Sequence, residues 1–222
     1  MRDRTRPRDN RRRGGRRRGG ELSGCGPAGG ERPDMLRAFI AVPVSDEIRS
    51  AVETVESELK RIGADVKWVR PANVHLTLKF LGNISPDEAG RVKAGLGEAL
   101  KSQAGFEVTV AGLGTFPRGR GKPRVVWMGL EEGSDLLRDL AGRVDDVCAS
   151  VGFERETRPF AGHLTLGRSR MGGGRLPELA EAVSQLLFNP LQLKVDRVNL
   201  VRSRLSPEGP TYTILESFAL GV

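Results

Sequence analysis

The tetrapeptide His-Leu-Thr-Leu occurs twice, at 75–78 and at 163–166, and the two copies hold both histidines of this 222-residue chain. Side chains alternate between faces along a strand. Each copy therefore puts an imidazole and a hydroxyl on one face and two anchoring leucines on the other. Two such strands across a cleft would supply His75, Thr77, His163 and Thr165 together. That set suits phosphoryl chemistry. Opening a phosphodiester needs a base to activate water and an acid to protonate the departing oxygen, and histidine serves as either because its pKa lies at about 6.5. Threonine hydroxyls can donate to the non-bridging oxygens, where charge collects. One His-x-Thr alone would be a weak signal, since Thr favours strands and a lone His is usually a half-buried surface residue. The duplication carries the reading. A two-histidine metal site would need a third ligand from Asp, Glu or Cys. Neither tetrapeptide holds one, so no metal and no cofactor is expected.

The elements that must position these residues are legible from Met35 onward. Leu36 to Val42 reads as a buried strand. Ser45 can cap a helix whose apolar residues Ile48, Val52, Val55, Leu59 and Ile62 recur at helical spacing. Val66 to Val69 is a short strand, and His75 to Leu81 alternates with period two. Ser85-Pro86-Asp87-Glu88 is a capping box with proline at the first helical position, opening a helix to about residue 103. Phe106 to Leu113 and Arg124 to Leu130 read as strands. Leu136, Leu140, Val144, Val147 and Val151 mark one face of a helix. His163 to Arg168 is a strand, Met171-Gly-Gly-Gly a loop, and Leu176 to Phe188 a helix. Leu191 to Leu200 and Tyr212 to Leu220 are terminal strands, with a turn at Ser206-Pro-Glu-Gly-Pro. Mixed strands and helices with few strict βαβ alternations predict an α+β fold with antiparallel sheets.

Charge does not by itself point to nucleic acid. Eleven arginines against five acids place +6 of the formal +8 in residues 1–34, leaving +2 for the rest. That segment, with RRRGGRRRGG at 11–20, has one Leu and no aromatic residue, and reads as a disordered Arg/Gly-rich extension to a folded domain spanning 35–222. Cys25 and Cys148 form neither a disulfide framework nor a zinc cluster, which points to a reducing cytoplasm. No apolar run reaches the ~18 residues of a membrane span, and no apolar stretch follows the arginines as in a secretory signal.

The words around the histidines resemble the 2H phosphoesterases, and within them the bacterial and archaeal RNA 2′,3′-cyclic phosphodiesterase branch, historically called 2′-5′ RNA ligases. The likeness covers nearly all of 35–222. It runs through Arg37-Ala-Phe-Ile-Ala-Val, Val69-Arg-Pro-Ala-Asn-Val-His-Leu-Thr-Leu-Lys-Phe-Leu-Gly and Gly114-Thr-Phe-Pro. It continues in Pro123-Arg-Val-Val-Trp-Met-Gly, Arg158-Pro-Phe-Ala-Gly-His-Leu-Thr-Leu-Gly-Arg and Val201-Arg-Ser-Arg-Leu-Ser-Pro-Glu-Gly-Pro-Thr-Tyr. The resemblance implies a bilobal fold of two antiparallel sheets with helices packed outside, pseudo-twofold symmetry and a central cleft. It implies opening of an RNA 2′,3′-cyclic phosphate to a 2′-phosphate, with His75 as general acid, His163 as general base, and Thr77 and Thr165 on the phosphate. Gly162 and Gly167 depart from the family pattern, which usually has Pro before this histidine and Ala before Arg168.

Further candidates surround the pair. Arg168 lies an odd number of residues from His163 and needs a bulge or its own reach to meet phosphate. Arg158 sits in the loop before the motif. Arg118, Arg120, Lys122 and Arg124 crowd a Pro/Gly loop that could meet an RNA backbone. Phe80 and Phe160 could stack on a base, although the odd spacing of Phe80 from His75 points it to the core. Trp68 and Trp127 are expected in the core. The partner expected is RNA ending in a cyclic phosphate, tRNA fragments among the candidates, acted on by a monomer. Two other functions compete. One is reversible 2′-5′ RNA ligation by the same pair run backwards. The other is a non-enzymatic RNA-binding module built on the Arg/Gly extension.

Overall fold

The computed structural model describes residues 35–117, 122–170 and 174–221. The Arg/Gly extension, Arg118, Arg120 and the start of the Met171 loop lie outside the described residues. Within them the strands and helices are β1 Leu36–Pro43, α1 Asp46–Lys60, β2 Val66–Trp68, β3 His75–Ile84, α2 Pro86–Ala99, β4 Phe106–Phe116, β5 Val125–Leu130, α3 Ser134–Ser150, β6 Leu164–Ser169, α4 Leu176–Gln185, β7 Leu191–Val195, β8 Arg197–Ser206 and β9 Gly209–Ala219.

These strands pair antiparallel in the order β7-β4-β5-β6-β3-β1-β8-β9, with β2 added to β6. The order is a palindrome about the β6–β3 junction. The runs β1-α1-β3-α2 and β5-α3-β6-α4 occupy equivalent places on its two sides, which gives the pseudo-twofold relation. The two expected antiparallel sheets are joined into one continuous path through Leu76 opposite Leu164, the one register pair between β3 and β6 among the described residues.

The helices follow the same symmetry, with α2 against α3 and α4 against α1. Val52, Val92, Val144 and Val183, one from each helix, join Leu76, Leu78, Leu164 and Leu166 in a single core. On the opposite face of β1 and β8, Phe39, Ala41 and Val201 form a small separate cluster with Tyr212. No helix among the described residues is long and apolar enough to cross a membrane.

Local chemistry explains the helix starts. The Ser45 hydroxyl accepts from the Ile48 amide at 3.3 Å, satisfying a first-turn donor that no intrahelical carbonyl can reach. Ser85 and Glu88 form the reciprocal capping box, with Glu88 N donating to Ser85 Oγ and Ser85 N to Glu88 Oε2. The stops differ from expectation. α2 ends at Ala99 and α4 at Gln185, each a turn or less before the apolar residues that extend the sequence pattern.

Two further expectations are corrected. The buried stripe of α3 is Leu137, Leu140, Ala141, Val144 and Cys148, while Leu136 is 51% exposed. Small Ala141 and Cys148 belong to the core face. Val147 flanks it, close over Gly95 of α2, where a side chain on Gly95 would collide with it. The segment 191–200 is two strands in opposite halves of the sheet order, broken at Asp196. The alternation Leu191, Leu193, Val195 resumes at Val198 and Leu200, one residue out of phase, because a single strand could not pair both with β4 and with β1 and β9.

Candidate active site

His75 and Thr77 on β3, with His163 just before β6 and Thr165 on it, line one cleft of about 480 Å³. The parity argument holds for these four. Leu76, Leu78, Leu164 and Leu166 are buried on the helix side, and the histidines and threonines are half-buried on the other.

Parity then breaks in both halves, and that places two more side chains in the cleft. In β3 the register against β1 slips at Leu78 and again at Leu81, so Leu78 and Lys79 are buried in succession. Phe80 is thereby turned to the His75 face and is 61% exposed there, lining the cleft. The expectation that odd spacing sends Phe80 to the core is corrected by this bulge, which inserts one residue and reverses the side chains up to the second slip at Leu81. In β6 the register against β5 slips at Leu166, leaving Leu166 and Gly167 both buried and turning Arg168 to the cleft. Phe80 and Arg168 thus occupy equivalent positions, each five residues past its histidine.

Each imidazole is held the same way. His75 Nδ1 lies 2.7 Å from the carbonyl oxygen of Asn73, and His163 Nδ1 lies 2.8 Å from that of Ala161. A carbonyl only accepts, so Nδ1–H donates in both rings, and Nε2 is the free atom of each. Asn73 is itself fixed, since its side-chain amide donates to the Pro210 carbonyl at the β8–β9 hairpin. Rings pack the imidazoles in place. Phe39 stacks on His75 with centroids 4.6 Å apart, Tyr212 meets it edge-on at 5.3 Å, and Phe116 meets His163 edge-on at 5.2 Å.

Burial holds both imidazoles below the ordinary histidine range, against a smaller upward pull from the carbonyl bonds. His163 alone has a further cause, the neighbouring Arg168 guanidinium. Burial raises the Tyr212 phenol, and Arg168 and Arg37 act on it in the opposite sense. The charge of Arg168 therefore reaches groups from both halves. Its side chain makes no hydrogen bond or ion pair among the described residues.

The other candidates separate. Phe160 is half-buried beside His163, and Arg158 lines an adjoining groove with it. Arg124 is exposed in an adjoining depression that shares Phe116 and Val125 with the cleft, and it does not itself line the cleft. Trp68 packs at the core margin, and Trp127 lies against Phe116. No group of three or more potential His, Cys, Asp or Glu metal ligands occurs among the described residues.

Sequence reasoning missed Asn73, Phe39, Phe116 and Tyr212. Two signals were available. Tyr212 is the one tyrosine of the chain. The motif repeat is also longer than four residues, because Arg70-Pro71 stands before His75 as Arg158-Pro159 stands before His163.

A palindromic sheet with matched imidazoles and hydroxyls at its centre defines a phosphoesterase scaffold. The family model described as LigT like Phosphoesterase matches residues 41–127 and 129–212, and the chain belongs to that family. It is 36% identical over 186 residues to a relative from Methanothermobacter thermautotrophicus named RNA 2′,3′-cyclic phosphodiesterase, covering 83% of this chain and 99% of that one. A relative of the same name from Aquifex aeolicus is 35% identical over 191 residues, covering 84% and 98%. Among solved structures, TT0787 of Thermus thermophilus superposes with a TM-score of 0.69 at 30% identity, over 83% of this chain and 98% of that chain. E. coli LigT complexed with 3′-AMP superposes with a TM-score of 0.68 at 26% identity, over 85% and 100%.

Proposed function

We propose that this protein hydrolyses the 2′,3′-cyclic phosphodiester at an RNA 3′ end to a 2′-phosphomonoester, using His75 as acid and His163 as base and no metal. The observation that carries this reading is the pair of imidazoles on one cleft, each with Nδ1 tied to a carbonyl and Nε2 free, beside two threonine hydroxyls.

The chemistry closes on those groups. Water attacks phosphorus opposite the 3′ oxygen and gives its proton to His163 Nε2. The bond from phosphorus to the 3′ oxygen breaks, and that oxygen takes the proton from His75 Nε2. The products are a 2′-phosphate and a 3′-hydroxyl, and the two imidazoles return to their starting states by proton exchange with solvent. Thr77 and Thr165 donate to the non-bridging oxygens, and the Arg168 cation offsets their charge. Arg168 also supports the division of labour, because a cation beside His163 disfavours its imidazolium and keeps it a base. The anionic phosphate favours the proton on His75. Phe80, exposed on the cleft wall, offers a face to the terminal base. RNA 3′ ends, tRNA fragments included, are the substrate class of this reading, with a cytoplasmic monomer as the working form.

The test is turnover of a nucleoside 2′,3′-cyclic phosphate in excess chelator by the parent and the two His→Ala variants. Turnover that survives chelator and disappears in each variant is expected. Full activity in both variants, or a parent inactivated by chelator, would overturn the assignment.

A further inference from the structure

The pseudo-symmetry of the sheet is broken beside the β3–β6 junction, where a groove lies. Leu76–Leu164 is the one register pair between β3 and β6 among the described residues. On the β6 side the gap is filled, because β2 pairs Val66, Lys67 and Trp68 with Ser169, Arg168 and Gly167. The Val69 amide extends that contact to the Leu166 carbonyl at 2.7 Å. The equivalent of β2 in the other half is Glu154–Thr157, 88 residues later, and it forms no strand among the described residues.

The residue four past each histidine differs between the halves. In β6 it is Gly167, and a Cβ there would stand 2.6 Å from Val66 Cγ1 and 3.0 Å from Trp68 Cε3, so β2 lies tight against a bare position. In β3 it is Lys79. Its ammonium spans the gap, donating to Asp145 at 2.5 Å and to the Glu154 carbonyl at 2.9 Å. A side chain holds the loop where a backbone ladder would otherwise close it. The matched arginines differ too. Arg70 donates to the Glu208 carbonyl of the β8–β9 hairpin at 3.0 Å, whereas Arg158 makes no side-chain hydrogen bond or ion pair among the described residues.

The open gap is a groove of about 530 Å³ that shares Thr77, Phe80 and His163 with the cleft. Phe80 and Phe160 give it aromatic walls, Arg158 lies along it, and exposed Gly142 of α3 borders it with no atom within 4 Å of where a Cβ would stand. Of its carboxylates, Asp145 is paired with Lys79, and Glu156 is left to accept from a hydroxyl. Aromatic faces, an arginine along the groove and continuity with the phosphate site are what a second nucleotide requires.

We propose that this groove binds the nucleotide immediately 5′ of the cyclic-phosphate terminus, with its base on Phe160 and its linking phosphate on Arg158. The proposal rests on the hydrolytic reading above. It makes the preferred substrate an oligonucleotide end and not a mononucleotide.

The experiment compares the full chain on a nucleoside 2′,3′-cyclic phosphate and on a dinucleotide ending in the same group, in chelator. The dinucleotide is expected to have the higher kcat/KM by on the order of tenfold or more, chiefly through KM. Gly142→Leu, which fills the groove from a helix position that tolerates leucine, should remove most of that advantage. Arg158→Gln should reduce it and weaken its salt dependence. Equal kcat/KM for both substrates, or an advantage that persists in Gly142→Leu, overturns the proposal. So does a groove that binds a 5′-hydroxyl oligonucleotide in a Gly142-dependent way while substrate preference is unmoved, since that assigns it to a second strand. If the parent turns over neither substrate, the hydrolytic reading itself fails.

Discussion

Leu76 faces Leu164 across the one register pair that β3 and β6 share among the described residues. Each leucine follows its histidine directly, so the two halves of the sheet meet at the residues that anchor the site. The spacing of the imidazoles is thereby set by backbone pairing and by leucines buried in the common core. The imidazoles themselves take little part in that packing, which lets chemistry and stability be tested apart.

His75→Ala and His163→Ala should each lower kcat by ~10²–10⁴. The double variant should be little worse than either single one, because acid and base act as a unit. Single-turnover assays on a cyclic phosphate measure this, with a melting curve confirming that both variants fold. Additive losses would mean that the two histidines act in separate steps.

Thr77→Val and Thr165→Val should each cost roughly 10–100-fold in kcat/KM, the worth of one hydrogen bond to a charged oxygen. Valine keeps the β-branched shape that suits the strand, so the melting temperature should hold. A loss confined to stability would remove the threonines from the phosphate.

The quartet was legible because strand parity is local. His75, Leu76 and Thr77 lie before the first slip of register, so alternation alone places them. Phe80 and Arg168 lie after a slip, and a bulge leaves no reliable mark in the residues around it. The helix starts at Ser45 and Ser85 were equally legible, since a cap satisfies amides within its own turn. The stripe of α3 was not, because Ala141 and Cys148 count as core only where a neighbouring helix comes close. The break at Asp196 did leave a trace, a one-residue change of phase between Val195 and Val198. Its meaning depends on pairing with β4 on one side and β1 and β9 on the other.

The acid limb of kcat/KM should lie below pH ~6.5, the unperturbed histidine value, because burial and Arg168 both disfavour the charged form of His163. Removing the cation removes one of those causes. In Arg168→Met the His163 pKa should rise, and the acid limb should move to higher pH along with the loss of rate. A pH–rate profile that falls in height without shifting would mean that Arg168 acts on substrate alone.

Lys79→Met should destabilise the fold by about 2–4 kcal/mol, because it leaves Asp145 without its main partner and orphans the Glu154 carbonyl. Lys79 is 4% exposed, so solvent cannot substitute for it. The pH dependence has a definite sign. Although burial alone would raise it, Asp145 is held below the ordinary carboxylate range by the Lys79 and Glu156 hydrogen bonds and by nearby Lys79 and Arg155. Its stabilisation is therefore present above pH ~3.9 and lost as pH falls through its lower folded value. Parent and Lys79→Met should differ most in denaturant midpoint at neutral pH and converge on acidification. A constant difference across pH would trace the effect to packing of the lysine stem and not to the ion pair.

Gly167→Ala tests whether the bare position in β6 is what lets β2 close. The added methyl would meet Val66 and Trp68 side chains and the Lys67 carbonyl, at 2.6, 3.0 and 3.4 Å. Neither side chain can retreat freely, since both sit on a strand paired to β6 and packed against the core. Overpacking of this kind costs about 1–3 kcal/mol. Val66→Ala removes the nearest obstacle at the cost of a small cavity. The two changes together should then be less destabilising than their sum, with a coupling of ~1 kcal/mol in a double-mutant cycle. Strict additivity would mean that β2 shifts as a unit when the methyl arrives, so that closure of this half does not depend on glycine.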